Sequence, residues 1–314
     1  MDYSQDISTL LRISTVQAHD TASKSQGAGW LTRGELDRDE YVRYLMMLYH
    51  IYDAFERALE QHATHPVLLP SYNPGLLSRA SSLAADISQI LQVPESQWQT
   101  HPLHVQLMSP PPAELTAYIT RINEVASTEP ARLLSHSYAR YLGDLSGGQF
   151  IKRVLAKSYE LQDGLGLSFY EFRQLGSGST LATIGDMKKI KDWFRDGMNA
   201  GVADDVALKQ AVIEEANIAY HHNIALLALL RPPSRPAPAP VGDSGTPPEP
   251  SPVAEKQQLD LQPSVSTYRT STVVALIAAV CLAHFFIVVG GFTGEKGAAK
   301  LEALQQWFAS SSST

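Results

Sequence analysis

Cysteine is almost absent from this sequence of 314 residues, because its only cysteine, Cys281, lies within a long apolar run. A single thiol cannot form an intramolecular disulfide, and structural zinc sites are commonly built from several cysteines or from cysteines with histidines. The rest of the chain therefore has no disulfide framework, no cysteine-based zinc site and no thiol nucleophile. This composition suits a reducing, cytosolic environment.

An excess of positive charge is also missing. The chain has 25 Lys and Arg residues against 32 Asp and Glu residues, so its charge balance gives no indication of a nucleic-acid-binding surface. Residues 1–6 are acidic and polar, and they lack the basic start and the apolar core of a secretory signal. We therefore expect no nucleic-acid partner and no export signal.

Strand-like alternation with period two is the third absence, whereas helical spacing of apolar residues recurs along the chain. An apolar stripe begins at Ile7, and Asp37 with Glu40 three residues later predicts a capping box before a long helix. Further helices are predicted after Asn73 and after the prolines at 110–112. The sequence thus predicts an all-α fold with a single multihelical domain over residues 1–230.

Three smaller features complete the prediction for this domain. The glycine-rich residues 26–29 are predicted to be a connector, and Asp204 is predicted to cap the last long helix. The histidine pairs His62/His65 and His101/His104 flank prolines and have no nearby carboxylate or cysteine. We predict that both pairs lie in loops and bind no metal ion.

The C-terminal part of the sequence differs sharply in composition. Residues 231–263 contain ten of the 19 prolines, so residues 231–271 are predicted to be a disordered linker. Residues 272–292 form an almost unbroken apolar run of about 20 residues, enough for a transmembrane helix. Because few residues (293–314) follow this run and no signal precedes the domain, we expect a tail anchor that leaves the domain in the cytosol.

Residues 138–150 stand out because a helical pattern there includes three glycines, each of which costs roughly 1 kcal/mol in a helix interior. Gly143 and Gly147 share a face, so the backbone there can closely approach something flat and bulky. Arg140 and Asp144 are four residues apart and are predicted to form a polar pair beside that face. The same spacing is also typical of closely crossing helices, and a Gly-Gly pair can end a helix. The segment lacks the Lys-Ser/Thr of a phosphate-binding loop, which argues against a nucleotide site here.

Two further spacings concern cationic residues and a histidine. Arg12 and His19 are seven residues apart, which places them on nearly the same helix face about 10 Å apart along the axis. Lys191 and Arg195 are four apart on another helix face. On spacing alone, His19 is more typical of a solvated or capping residue, and the lysine-rich segment around Lys191 is typical of a solvated face.

The run from Tyr138 to Gln149 resembles the distal-helix signature of the heme oxygenase family. The resemblance continues through residues 48–52, 128–130 and 212–216 and covers roughly residues 5–230. It implies a fold in which heme lies between a proximal helix and a kinked distal helix.

The resemblance also implies roles for individual residues. His19 matches the proximal iron ligand, and the family often has an acidic residue four positions later, where this chain has Ser23. The carboxylate Asp144 is implied to organise a proton relay, with Gly143 beside it. Three implied residues bind the heme propionates: Arg12, Lys191 and Arg195. Gly147, Tyr220 and Asn223 are implied to lie near the pocket, and Arg140 and Tyr138 to be further members of the relay. Gly197 stands where a relative has another basic residue.

The activity that the resemblance implies is cleavage of heme by dioxygen to biliverdin, carbon monoxide and ferrous iron. Heme is then both substrate and cofactor, an NADPH-cytochrome reductase supplies the electrons, and the endoplasmic reticulum is the expected membrane. The alternative is a heme-binding chaperone or sensor that does no chemistry. Asp144 discriminates between the two, because binding needs only His19 and the cations, whereas oxygen activation needs a proton relay.

Overall fold

A computed structural model describes residues 1–161, 164–176, 178 and 180–234. Every regular element in this part of the chain is helical, apart from one isolated antiparallel bridge between Arg173 and Leu181. The α-helices of the described residues are α1 Ile7–Ser14, α2 Val16–Ser23, α3 Gln26–Arg33, α4 Arg38–Gln61, α5 Pro74–Leu77, α6 Ala80–Leu91, α7 Pro102–Leu107, α8 Ala113–Thr128, α9 Leu133–Asp144, α10 Gly147–Ser158, α11 Ile184–Val202 and α12 Val206–Ala228. The all-α prediction is confirmed for these residues.

The described residues end within the predicted linker. The linker from residue 235 onward, the predicted span over residues 272–292 and the tail over residues 293–314 lie outside them. Among the helices that are described, none combines the length and the apolar character needed to cross a bilayer.

Helix α4 lies at the centre of the domain. Residues 40–48 at its start are all buried, and α4 packs against α6, α7, α8 and α9. Tyr41, Leu45 and Tyr52 have no exposed surface. Burial of this continuous apolar surface is the main source of the stability of the bundle.

The predicted glycine-rich connector is wrong, because residues 26–29 begin helix α3. The hydroxyl of Ser25 accepts a hydrogen bond from the Ala28 amide and caps this helix. A Cβ on Gly27 would lie 2.1 Å from the Leu227 carbonyl oxygen of α12. Gly27 is therefore required by a close approach of two helices, which a connector would not need.

Replacing Gly27 with alanine is expected to destabilise the protein by about 2–3 kcal/mol, because the added methyl group overlaps a backbone atom that cannot rotate away. Gly29→Ala is the matched control on the same helix. A Cβ there meets only the mobile end of the Arg33 side chain at 2.9 Å, so we expect little change or a small gain from the better helix former. Urea unfolding of both variants measures the difference, and equal stabilities would contradict this account of Gly27.

The helix ends partly follow the prediction. The side chain of Asn73 accepts a hydrogen bond from the Leu76 amide and caps α5, but α5 is only one turn long before α6 begins. Asp205 caps α12 by accepting from the Leu208 amide, so the prediction of Asp204 is wrong by one residue. Asp37 occupies the N-cap position of α4, yet its side chain makes no capping hydrogen bond.

Two breaks in helical segments shape the site. The stripe that starts at Ile7 is interrupted at Thr15, whose φ of −101° and ψ of 2° separate α1 from α2. The Thr15 hydroxyl is buried and donates to the Leu11 carbonyl at 2.7 Å. The glycine-containing segment breaks between Asp144 and Gly147, which separates α9 from α10.

Candidate functional site

The carboxyl group of Asp144 is the most perturbed acid of the site. It ends α9, and its Oδ2 accepts a hydrogen bond of 2.5 Å from the Tyr52 hydroxyl of α4. Burial raises the pKa of Asp144 to about 7, although the hydrogen bond from Tyr52 and the charges of Arg140 and Arg79 oppose the rise. A group with a pKa near 7 can both donate and accept a proton at neutral pH.

The predicted polar pair of Arg140 and Asp144 makes no direct contact, since neither a hydrogen bond nor a salt bridge joins these two side chains among the described residues, although the charge of Arg140 lowers the pKa of Asp144. The guanidinium of Arg140 instead lies over the rings of Tyr52, at 5.6 Å, and Tyr118, at 5.2 Å. These two rings hold the cation by cation–π attraction. Its Nε and Nη2 atoms are buried and have no hydrogen-bond partner in the structure, so Arg140 can donate to a water molecule or a bound ligand.

The glycines of the signature have two different environments. A Cβ added to Gly143 or Gly147 would meet no atom within 4 Å, whereas one on Gly148 would lie 3.2 Å from the Tyr170 ring. Close crossing of helices therefore explains Gly148 only. The Gly-Gly pair also begins α10 and does not end α9. Gly143 and Gly147 leave open space beside the backbone next to Asp144.

Helix α2 carries His19 and none of its residues is buried. The imidazole is exposed, and the edge of the Tyr220 ring contacts it with the ring centroids 6.2 Å apart. Val16, one turn before His19, is 55% exposed although it is apolar. The Ser23 hydroxyl donates to the Asp20 carbonyl at 3.0 Å. His19 and an apolar neighbour are thus both available to a ligand.

The charges of Arg12 on α1 and Arg195 on α11 act on Tyr138 of α9. Burial raises the pKa of Tyr138, while a hydrogen bond with Thr15 and the charges of Arg195 and Arg12 oppose that rise. Burial and the charge of Arg195 lower the pKa of Lys191. The structure therefore places Tyr138 with the cations, and its described interactions do not include Asp144.

The remaining predicted site positions are Gly197 on α11 and Tyr220 and Asn223 on α12. A Cβ on Gly197 would lie 2.5 Å from the Pro70 carbonyl oxygen, so close packing of α11 leaves no room there for the side chain that a relative has. Tyr220 of α12 contacts His19, and Asn223, three residues later, is half-buried. The pKa of Tyr220 is raised by burial, so its hydroxyl stays protonated.

Sequence reasoning missed several residues that surround Asp144. Tyr52 and Tyr118 are not among the site residues that the sequence predicts, yet Tyr52 donates to Asp144 and both rings contact Arg140. Glu56 accepts hydrogen bonds from the Arg79 and Ala80 amides, and burial raises its pKa to about 7. Its charge also contributes to the raised pKa of Asp144. The four-residue spacing of Tyr52 and Glu56 predicts that both lie on the same face of α4. It does not predict that this face contacts Asp144 of α9.

One histidine prediction is wrong. His104 lies on α7, is buried, and its Nε2 is 2.9 Å from Nε2 of His50. Its Nδ1 lies 2.7 Å from the Gln99 carbonyl oxygen, which indicates that Nδ1 carries the proton and donates it. His101 caps α7 by accepting from the Leu103 amide. Within the described residues no group of three or more potential ligands could hold a metal ion.

The order and geometry of these elements match a known family. The family model of heme oxygenases matches residues 5–228. This chain belongs to the heme oxygenase family. Heme oxygenase 1 of a Nostoc species is 32% identical over 223 residues, which are 71% of this chain and 85% of that protein. Human heme oxygenase 1 is 34% identical over 228 residues, 72% of each chain.

Solved structures agree with this assignment. The crystal structure of heme oxygenase-2 from a Synechocystis strain, in complex with heme and NO, has a TM-score of 0.62 and 30% sequence identity and covers 71% of this chain and 84% of its own. Heme oxygenase from Leptospira interrogans has a TM-score of 0.61 and 28% identity, covering 71% and 99%. The all-helical heme oxygenase fold is thus shown for this chain.

The residues of this heme oxygenase fit a heme group. Open space beside Gly143 and Gly147 suits a flat ring, and the exposed His19 can supply an imidazole to iron. Arg12 and Arg195 lie near Tyr138 and can receive carboxylates. These features come from five different helices, α1, α2, α9, α10 and α11, so folding of the whole domain is needed to bring them together.

Proposed function

We propose that this protein is a heme oxygenase that opens the heme ring to biliverdin, carbon monoxide and ferrous iron. The observation that carries the proposal is the half-buried Asp144, with a pKa of about 7, beside two glycines that face open space. A chaperone or sensor would need His19 and the cations but would gain nothing from a carboxyl group whose burial costs stability. The enzyme is therefore favoured over the binding protein.

The bound heme supplies the iron that activates dioxygen and the carbon bridge that is cut. His19 would hold this group through its imidazole, and Arg12, Lys191 and Arg195 would orient it through its carboxylates. Tyr52 donates to Oδ2 of Asp144, which leaves Oδ1 free to exchange a proton with water. The unpartnered donors of Arg140 fix the position of such water. The glycines keep side chains away from the reacting edge.

The test uses the full chain with hemin, dioxygen, NADPH and a cytochrome reductase. We expect the heme absorption band to disappear while biliverdin and carbon monoxide form. Hemin that binds and keeps its band during repeated reduction would identify a binding protein and overturn the proposal.

The proposed electron donor is an external NADPH-cytochrome reductase, because the helical heme oxygenase domain accounts for residues 5–228. We also propose that residues 272–292 anchor the protein in the endoplasmic reticulum with the domain in the cytosol. Support comes from the apolar composition of this run and the proline-rich segment before it.

Deleting residues 264–314 is expected to release the protein from membranes without loss of hemin binding, because every candidate site residue precedes residue 231. Membrane flotation and hemin titration of the full and truncated proteins measure the two properties. A truncated protein that still floats with membranes would contradict the anchor, and one that no longer binds hemin would contradict the domain boundary.

Replacing Lys191 and Arg195 together with glutamine is expected to weaken hemin binding by about tenfold, because each of these partly exposed side chains contributes up to about 1 kcal/mol through its charge pair. A ring held less firmly should also yield mixed biliverdin isomers. Lys189→Gln is the control on α11, since this lysine is exposed and pairs with Asp186. A single isomer from the double variant, with unchanged affinity, would show that α11 does not orient the ring.

A further inference from the structure

The two acidic residues of the capping box predicted at the start of α4 do not cap this helix; they accept hydrogen bonds from residues just after the end of α12. Asp37 Oδ2 accepts hydrogen bonds from the Ser234 amide, at 3.0 Å, and from the Ser234 hydroxyl, at 2.5 Å. Glu40 Oε1 accepts from the Arg231 amide at 2.9 Å. Both carboxylates that could cap α4 therefore bind residues 231–234, which we call the latch.

The base of the latch is firmly fixed. Glu40 forms a two-point ion pair with Arg43, with distances of 2.5 and 2.8 Å, and both side chains are almost fully buried. Arg43 also donates to the Leu229 carbonyl at 2.6 Å, just after the end of α12. The start of α4 and the end of α12 are thus joined before the latch begins.

The outer end of the latch is held by an exchangeable contact. The amides in the first turn of α4 donate no hydrogen bond to the side chain of Asp37, although an N-cap aspartate commonly accepts one. If Ser234 leaves, Asp37 can rotate and cap its own helix, which compensates for the lost contact. The side chain of Asp37 therefore has two alternative sets of donors, which would allow the latch an open state besides the closed state of the structure.

Ser234 also has the features of a modifiable residue. It is exposed, and Pro232 and Pro233 before it favour an extended backbone. Arg231 and Arg235 lie three residues before and one residue after it in the sequence. The positive charges of the two arginines would complement an acidic substrate-binding cleft of a modifying enzyme, and the exposed, extended serine between them would be accessible to it.

We propose that Ser234 is a phosphorylation site for a protein kinase that selects basic residues, and that its phosphorylation opens the latch. The kinase transfers the γ-phosphoryl group of ATP to the Ser234 oxygen; the hydroxyl proton is released and ADP leaves. The hydroxyl can then no longer donate to Asp37. A phosphate with almost two negative charges instead faces the Asp37 carboxylate, close to Asp39 and Glu40, and repels it.

The groups of opposite charge near the latch define the competing outcome. Arg231 lies 3.9 Å from Glu40, and Arg38 follows Asp37 in the sequence. If either arginine captured the phosphate, the latch would close more tightly. Direct contact of the modified oxygen with Asp37 favours opening, and the two directions are distinguished by the exchange rates of the latch amides.

The test treats the full chain with such a kinase and MgATP, maps the phosphate, and follows hydrogen exchange in peptides covering residues 229–235. The informative amides are those of Arg231 and Ser234, because Pro232 and Pro233 between them have no amide hydrogen to exchange. We expect phosphate on Ser234 and exchange of the Ser234 amide about tenfold faster, as loss of a hydrogen bond of typical strength predicts. No phosphate on Ser234, or exchange that is unchanged or slower after modification, overturns the proposal.

Two variants isolate the cause. Ser234→Ala removes the hydroxyl but keeps the amide, so it should accept no phosphate at this position and show a smaller rise in exchange than the modified protein. Asp37→Asn keeps an acceptor oxygen without its charge, so phosphorylation should open the latch less in this background. An equal effect of phosphorylation in the Asp37→Asn and parent proteins would show that charge repulsion is not the mechanism. Neither hemin nor activity enters these measurements, so they are independent of the proposed function.

Discussion

Asp144→Asn is expected to make the heme-free protein more stable while reducing biliverdin formation by at least about 100-fold. The difference between the usual aspartate pKa of 3.8 and the value of about 7 in the folded protein corresponds to about 4 kcal/mol. Because Asp144 keeps some exposed surface, we expect a gain of on the order of 2 kcal/mol at pH 8. The loss of activity follows from the loss of a group that transfers protons.

The direction of the pH dependence follows from proton binding. Between pH 4 and 7 the folded protein holds a proton on Asp144 and the unfolded chain does not, so this group contributes stability that is lost as pH rises through about 7. Asparagine has no such titration, and its advantage over aspartate should therefore grow from pH 4 to pH 8. Glu60→Gln, at an exposed position on α4, is the control for removal of a carboxylate.

Urea unfolding at several pH values and biliverdin yield from the same preparation measure both effects. A structural role for Asp144 gives the opposite pattern, in which the asparagine variant is less stable and binds less hemin. Full biliverdin yield from a correctly folded asparagine variant would contradict the role of Asp144 in a proton relay.

His19→Ala is expected to remove the imidazole signature from the spectrum of bound hemin and to weaken hemin binding on the order of 100-fold, about 2.7 kcal/mol. Some binding remains because the cations of α1 and α11 still receive the carboxylates. The stability of the heme-free protein should change by less than about 0.5 kcal/mol, since His19 is exposed and α2 has no buried residue.

Added imidazole should restore the spectrum of the His19→Ala protein by occupying the vacated position. His221→Ala, which removes an exposed histidine next to Tyr220, is the control and should bind hemin as the parent does. An unchanged spectrum in His19→Ala would refute the assignment of the proximal ligand.

Local patterns in the sequence predicted most of the helices of the described domain. The stripe from Ile7, the cap at Asn73 and the helix after the prolines at 110–112 depend on residues within one turn of each other, so period and capping chemistry suffice. The errors occur where a distant segment intervenes. Gly27 looks like a loop residue until Leu227 of α12 is placed beside it, and no local rule contains that information.

The same distinction applies to the site. The resemblance and the spacing indicated His19, Asp144 and the cations, but they gave the wrong partner for Asp144. Arg140 is near in sequence, whereas Tyr52, which forms the hydrogen bond, is 92 residues away. The raised pKa of the carboxyl group arises mainly from burial, and burial is a property of the assembled bundle.

The absence of buried residues in α2 affects how tightly heme can be held. A helix of eight residues is marginally stable by itself, so we expect α2, which packs mainly against α12, to occupy its binding conformation for only part of the time in the heme-free protein. The apparent dissociation constant exceeds the intrinsic constant by the inverse of that fraction. Substitutions that strengthen α2 without touching His19, such as Thr21→Ala at an exposed position, should therefore increase affinity through pre-organisation. The same strengthening should slow the departure of the product, so residence time should rise while turnover falls, although the substituted side chain touches neither heme nor dioxygen.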